Sequence, residues 1–150
     1  APMIFAKNIL SNKPIKVNNY GNMDRDFTYI DDIVEATIRC AIKPPTEDKN
    51  FNKLEPNPST SFAPYRVLNV GNNRTVNLMD FIKMLEELLG KKAEIKFMPM
   101  QQGDVKSTSA DINNLKKWID FSPQTSLEKG LEKFSKWYLD YFEKYEKINN

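Results

Sequence analysis

The stretch Arg25-Asp26-Phe27-Thr28-Tyr29-Ile30-Asp31, continued by Asp32-Ile33-Val34-Glu35-Ala36, holds the residue types best suited to chemistry. An arginine just ahead of a helix start can clamp a phosphate or carboxylate through its planar fork. The acids that follow suit the positive end of a helix macrodipole. The same pattern also fits a structural ion pair, with Asp26 orienting Arg25 and Asp32 serving the helix N-terminus. The chain has no histidine, so Ser-His and Cys-His relays and the commonest zinc ligand are absent from it. Its single cysteine, Cys40, lies in an apolar helical run and reads as a buried structural thiol. No pair of carboxylates has a spacing that argues for a metal site or for glycosidase chemistry.

Those residues need elements to hold them. Phe5, Ala6, Ile9 and Leu10 predict a first helix ending near Ser11-Asn12, and Pro14 then opens a strand at Ile15-Lys16-Val17. Tyr20-Gly21-Asn22 is turn chemistry. Ile33, Val34, Thr37, Ile38 and Ala41 recur at helical spacing until Pro44-Pro45 stops the run. Residues 45–64 are rich in Pro, Asn, Ser, Lys and Glu with few apolar anchors, which predicts a long, exposed, flexible loop. Arg66-Val67-Leu68-Asn69-Val70 reads as a buried strand, and Gly71-Asn72-Asn73 as the turn leaving it. Leu78, Ile82, Leu85 and Leu89 form an amphipathic stripe, with Asn77 as N-cap and Gly90 as the stop. Ala93 to Met98 alternates as a half-buried strand does. Asp111 can cap a short helix carrying Ile112, Leu115 and Trp118. Thr125-Ser126-Leu127-Glu128 has the form of a capping box. Leu127, Leu131, Phe134, Tyr138, Tyr141 and Tyr145 follow it at helical steps as a core stripe.

At 150 residues the chain is long enough for one domain with a core. With 40% hydrophobic and 28% charged residues it is globular rather than disordered. A net charge of +2, with only four arginines among 22 basic residues, gives no general attraction to nucleic acid or to a membrane. No apolar run approaches the ~18 residues that cross a bilayer, and no signal peptide is visible, which predicts a cytoplasmic protein.

Arg25 to Ile33 resembles the signature found in the C-terminal half of nucleotide-sugar epimerases and dehydratases of the extended short-chain dehydrogenase/reductase family. The wording is most similar to the UDP-glucuronate 4-epimerase branch. Ala1-Pro2-Met3-Ile4-Phe5, Asn12-Lys13-Pro14-Ile15, Asn69-Val70-Gly71-Asn72, Val76-Asn77-Leu78 and Met100-Gln101-Gln102-Gly103-Asp104-Val105 follow the family's order. In the family the Tyr-x-x-x-Lys pair, its Ser/Thr partner and the Gly-x-x-Gly-x-x-Gly loop that binds NAD lie upstream of these segments. No Tyr-x-x-x-Lys occurs here, and none of the five glycines are grouped after a strand. A chain that opens at Ala1 is therefore expected to be a C-terminal, substrate-binding portion, inactive alone.

The resemblance implies an α/β substrate-binding lobe of helices around small sheets, lacking most of the Rossmann domain. Segments 2–20 and 77–142 are expected to form the lobe, and 27–42 and 66–71 to pack on the dinucleotide-binding sheet. It further implies a UDP-sugar as ligand, NAD as the cofactor of the whole enzyme, and a homodimeric parent whose isolated lobe either self-associates or is only marginally stable. Arg25 matches the family arginine that contacts the diphosphate. Asp104 matches the acid that accepts hydrogen bonds from ribose hydroxyls; beside Gly103 it also suits a turn. Gln101 stands where UDP-galactose epimerases carry a second arginine, a departure compatible with the UDP-glucuronate branch. Val17 and Asn18 lie on the strand that lines the nucleobase. UDP-galactose 4-epimerase, dTDP-glucose 4,6-dehydratase, UDP-glucuronate decarboxylase and a non-catalytic binding fragment stay open as alternatives.

Overall fold

The computed structural model describes residues 2–146. In order, the elements are α1 (Pro2–Leu10), β1 (Ile15–Val17), a 3-10 turn (Asn18–Gly21), β2 (Asp24–Asp26), α2 (Ile30–Ile42) and β3 (Thr75–Asn77). There follow α3 (Leu78–Leu89), β4 (Ile95–Phe97), α4 (Asn113–Ile119), α5 (Leu127–Tyr141) and a π-helical turn (Phe142–Glu146). The expected mixture of helices and small sheets is present: β1 pairs with β4 in parallel, and β2 with β3 antiparallel. The described residues divide into two compact units. The first takes the stretches up to Phe27, Arg74–Thr108 and the residues from Ser126 onward; the second takes Thr28–Asn73 and Ser109–Thr125. Residues 109–125, part of the span 77–142 expected to form one lobe, are grouped with the second unit.

The first unit is built on α3. Asn77 accepts a hydrogen bond from the Met79 N–H, which satisfies a free donor at the helix start. Gly90 ends the helix with φ at 65°, where a side chain would be strained. Phe81, Ile82 and Leu85 are fully buried between these ends. Phe81 stacks on Phe27 at 4.6 Å, so one aromatic of the Arg25–Ile33 stretch serves the core. α1 and α5 pack against α3, and Tyr138 of α5 is completely buried. The cap of α5 is Ser126, which accepts from the Lys129 N–H, and not Thr125. Glu128 then falls in the first turn, where its own backbone N–H and the Ser126 hydroxyl hold its carboxyl below the ordinary value. At the far end of α3, burial pushes the Glu86 carboxyl up. The hydrogen bond and charge of Lys92 and the Ala93 N–H outweigh burial and leave it lowered.

The second unit gathers Leu115 and Ile119 of α4 on Ala36 of α2, with Cys40, Leu68, Val70 and Trp118 packed around them. Cys40 is half-buried rather than buried. Asp32 accepts backbone N–H bonds from Gln124 and Thr125 at 3.4 and 3.0 Å, so it ties this segment to the first turn of α2. The strand expected at 66–70 does not form. Arg66 makes one isolated bridge to Thr60, and Val67 is half exposed. The extended alternation is there, with Leu68 and Val70 turned to the core, but no neighbouring strand supplies a ladder. Residues 45–64 are irregular yet cross-linked: Thr60 donates to the Asp48 carboxylate at 2.8 Å, and the Asp48 N–H donates to the Ser61 carbonyl at 2.8 Å. Asp111 accepts from the Asn113 N–H at the start of α4, although the cap position itself is Ile112. Along α2, Ile30, Val34, Ile38 and Ile42 form an exposed apolar stripe at four-residue steps.

Candidate functional site

All five residues singled out as ligand contacts lie in the first unit, on two adjoining pieces of chain. Residues 98–108 run from the end of β4 past β1, the 3-10 turn and β2. Four backbone bonds fasten this segment: Met98 N–H to Val17 O, Tyr20 N–H to Met98 O, Asp24 N–H to Lys106 O, and Thr108 N–H to Asp24 O, at 2.9–3.2 Å. A bridge from Asp24 to Ser107 completes the seam.

Along that seam the expected residues meet in pairs. The Arg25 Nη2 donates to the Asp104 carboxylate at 2.9 Å, across 79 residues of sequence. Its Nη1 donates to the carbonyls of Asp24 at 2.8 Å and Lys106 at 3.1 Å. The orienting partner of Arg25 is therefore Asp104, and not Asp26. Asp104 is itself set by the Val105 N–H at 2.8 Å, while its own N–H closes a turn onto Gln101 O. Further along, Asn18 Nδ2 donates to Gln101 Oε1 at 3.3 Å. Arg25 and Asp104 side chains keep 24% and 31% of their surface exposed, so the pair is held but reachable by solvent and by a ligand. Val17 is fully buried, backbone included, and its carbonyl already accepts from the Met98 N–H, so it offers a ligand no open group.

Chemically, the seam presents a guanidinium whose fork is pre-oriented, a carboxylate able to accept from hydroxyls, and two amides. That set suits a polar anion carrying hydroxyl groups. Among the described residues no group of three or more carboxylate, cysteine or histidine side chains could hold a metal ion. Arg39 pairs with Glu35, Arg66 lies 4.0 Å over the Trp118 ring, and Arg74 is exposed; none of these three belongs to the seam.

Sequence reasoning missed the Asp24 and Lys106 carbonyls that aim Arg25, since backbone acceptors leave no mark on residue type. It also underrated Gly21. With φ at +84° a side chain there would be strained, and an added Cβ would lie 2.6 Å from the Met79 sulfur and push that side chain aside, so glycine suits the turn under the seam. The Tyr-Gly-Asn turn signal marked the position without this reason.

The family model described as GDP-mannose 4,6 dehydratase matches residues 3–134. Protein CapI of Staphylococcus aureus is 46% identical over 140 residues, covering 93% of this chain and 42% of that protein. The probable UDP-glucuronate 4-epimerase of Rhizobium meliloti is 39% identical over 138 residues, covering 89% of this chain and 40% of the relative. The Bacillus cereus UDP-glucuronic acid 4-epimerase, solved in complex with UDP-glucuronic acid and NAD, matches with a TM-score of 0.70 at 29% identity. That match covers 91% of this chain and 38% of the solved one. The chain therefore spans about two-fifths of the length of these relatives.

Proposed function

The chain belongs to the GDP-mannose 4,6-dehydratase family, within the extended short-chain dehydrogenase/reductase enzymes of nucleotide sugars, and we propose that it holds the nucleotide of a UDP-sugar. The single observation that carries this reading is the Arg25–Asp104 pair, which joins a phosphate-type cation to a hydroxyl-type acceptor on one seam. Arg25 takes the diphosphate and Asp104 the ribose hydroxyls. Asn18 and Gln101 flank the nucleobase, and buried Val17 supports Asn18 from within the strand. Glutamine at 101, where UDP-galactose epimerases carry a second arginine, speaks against UDP-galactose and is compatible with UDP-glucuronate as the sugar nucleotide.

The reaction proposed for the longer protein is interconversion of UDP-glucuronate and UDP-galacturonate at C4, for surface polysaccharide. Support comes from the names of the relatives at 39% identity and of the solved enzyme at 29%. NAD, which that solved enzyme holds, would supply reversible hydride transfer. The five glycines, at 21, 71, 90, 103 and 130, are scattered, with Gly21 and Gly103 in turns, Gly90 at the end of α3 and Gly130 inside α5, which supports a cofactor loop elsewhere. We place the cofactor loop and the catalytic tyrosine in the rest of the longer protein, which also covers the apolar stripe of α2. The 150-residue chain is then a binding lobe without turnover. Incubation with NAD and UDP-glucuronate should yield no UDP-galacturonate, while calorimetry should detect UDP binding. Product from the pure chain, or no UDP binding, would overturn the reading.

A further inference from the structure

The 3-10 turn between β1 and β2 contains three consecutive residues in the left-handed region: Asn19 at φ 48°, Tyr20 at φ 51° and Gly21 at φ 84°. Asparagine tolerates that region and glycine prefers it, but a bulky aromatic there is an outlier. Nothing in the fold repays Tyr20 for the strain. The residue is 67% exposed, and its ring packs in no aromatic pair. Among the described residues its hydroxyl makes no hydrogen bond. The bond from its N–H to the Met98 carbonyl at 3.0 Å is one that any amino acid but proline would make. A bare ring held in a strained turn, with no structural duty, is the kind of feature that strain marks as functional.

The position says what the ring is for. Tyr20 stands two residues after Asn18, and its N–H is fastened three residues before Gln101. The amide pair Asn18–Gln101 and the Arg25 guanidinium therefore share its seam. We propose that Tyr20 is a stacking platform for the heteroaromatic base of the bound nucleotide. The amides face the base edge and Arg25 takes the phosphates. This assignment rests on the nucleotide reading above and adds a residue and a base-recognition mode to it.

Calorimetry on the full 150-residue chain with two probes, UDP and inorganic pyrophosphate, separates the possibilities. Tyr20→Gly and Tyr20→Asn both accept positive φ, so each should fold, and the glycine variant should melt about 2–4 °C higher through relief of strain. Both should bind UDP about 5- to 100-fold more weakly, as loss of one base-stacking ring does. Both should keep pyrophosphate affinity, and Tyr20→Phe should keep both affinities. UDP affinity within twofold of the parent chain in the glycine and asparagine variants would overturn the platform while leaving the nucleotide site in place. Equal losses for UDP and pyrophosphate would overturn it too, since the turn's shape would then be what matters. Failure of the unsubstituted chain to bind UDP would remove the nucleotide site itself, and the platform with it.

Discussion

Replacing Arg25 with alanine removes three hydrogen bonds at once, to Asp104, Asp24 O and Lys106 O, and with them the clamp between β2 and residues 104–106. A hydrogen bond to a charged group contributes about 1.5–3 kcal/mol when desolvated. Here the two side chains keep 24% and 31% exposure, which brings the ion pair toward the ~1 kcal/mol of a surface bridge. The carbonyl bonds add about 0.5–1 kcal/mol each. The expected loss of folding stability is therefore about 2–3 kcal/mol, measured by urea unfolding. Binding should suffer separately. Loss of a charge-assisted bond to the diphosphate costs about 2–3 kcal/mol, or roughly 30- to 150-fold in the UDP dissociation constant. Arg25→Lys should recover only part of each, because a point charge cannot serve Asp104 and two carbonyls together. Calorimetry at a temperature where both proteins are folded isolates the binding effect. An alanine variant with the expected stability loss but unchanged UDP affinity would refute the reasoning and leave Arg25 as a loop fastener.

Gly21→Ala should cost about 1–3 kcal/mol in urea unfolding, from the left-handed φ and the approach to Met79; a neutral result would mean the turn can reshape freely. Glu86 has a carboxyl held below its ordinary value of 4.5 in the folded chain, so its contribution is complete above that value and fades as pH falls through the lowered one. The stability gap between the parent chain and Glu86→Gln should shrink accordingly on acidification, and a gap that does not change with pH would contradict the Lys92 and Ala93 account. The α2 stripe of Ile30, Val34, Ile38 and Ile42 should drive concentration-dependent association or bind a hydrophobic dye. Light scattering that finds a dye-silent monomer at high concentration would show the stripe needs no cover.

Local patterns carried the elements whose causes are local. Asn77 and Gly90 bracket α3 as their chemistry dictates, because a cap bond and a left-handed stop involve only near neighbours. The alternation of Ile15-Lys16-Val17 likewise gave β1 its buried-exposed-buried face. The run at 66–70 misled for the opposite reason. An apolar extended segment becomes a strand only when another strand lies alongside, and no residue type announces that neighbour. The cap of α5 slipped by one, since Thr125 and Ser126 are both good caps and only backbone geometry chooses between them. In the site, residue types pointed to Arg25 and Asp104 separately. Their pairing spans 79 positions and became visible only when β2 and the segment after β4 came together.

The central claim is that the seam of Arg25, Asp104, Asn18 and Gln101 binds the nucleotide of a UDP-sugar. Its most direct test is amide and side-chain chemical-shift mapping of the 15N-labelled chain during titration with UDP. The account expects saturable shifts concentrated at 17–25 and 98–106, including the Asn18 and Gln101 side-chain amides, and little change in the second unit. Shifts centred elsewhere, or no saturable change at millimolar UDP in a folded chain, would contradict it.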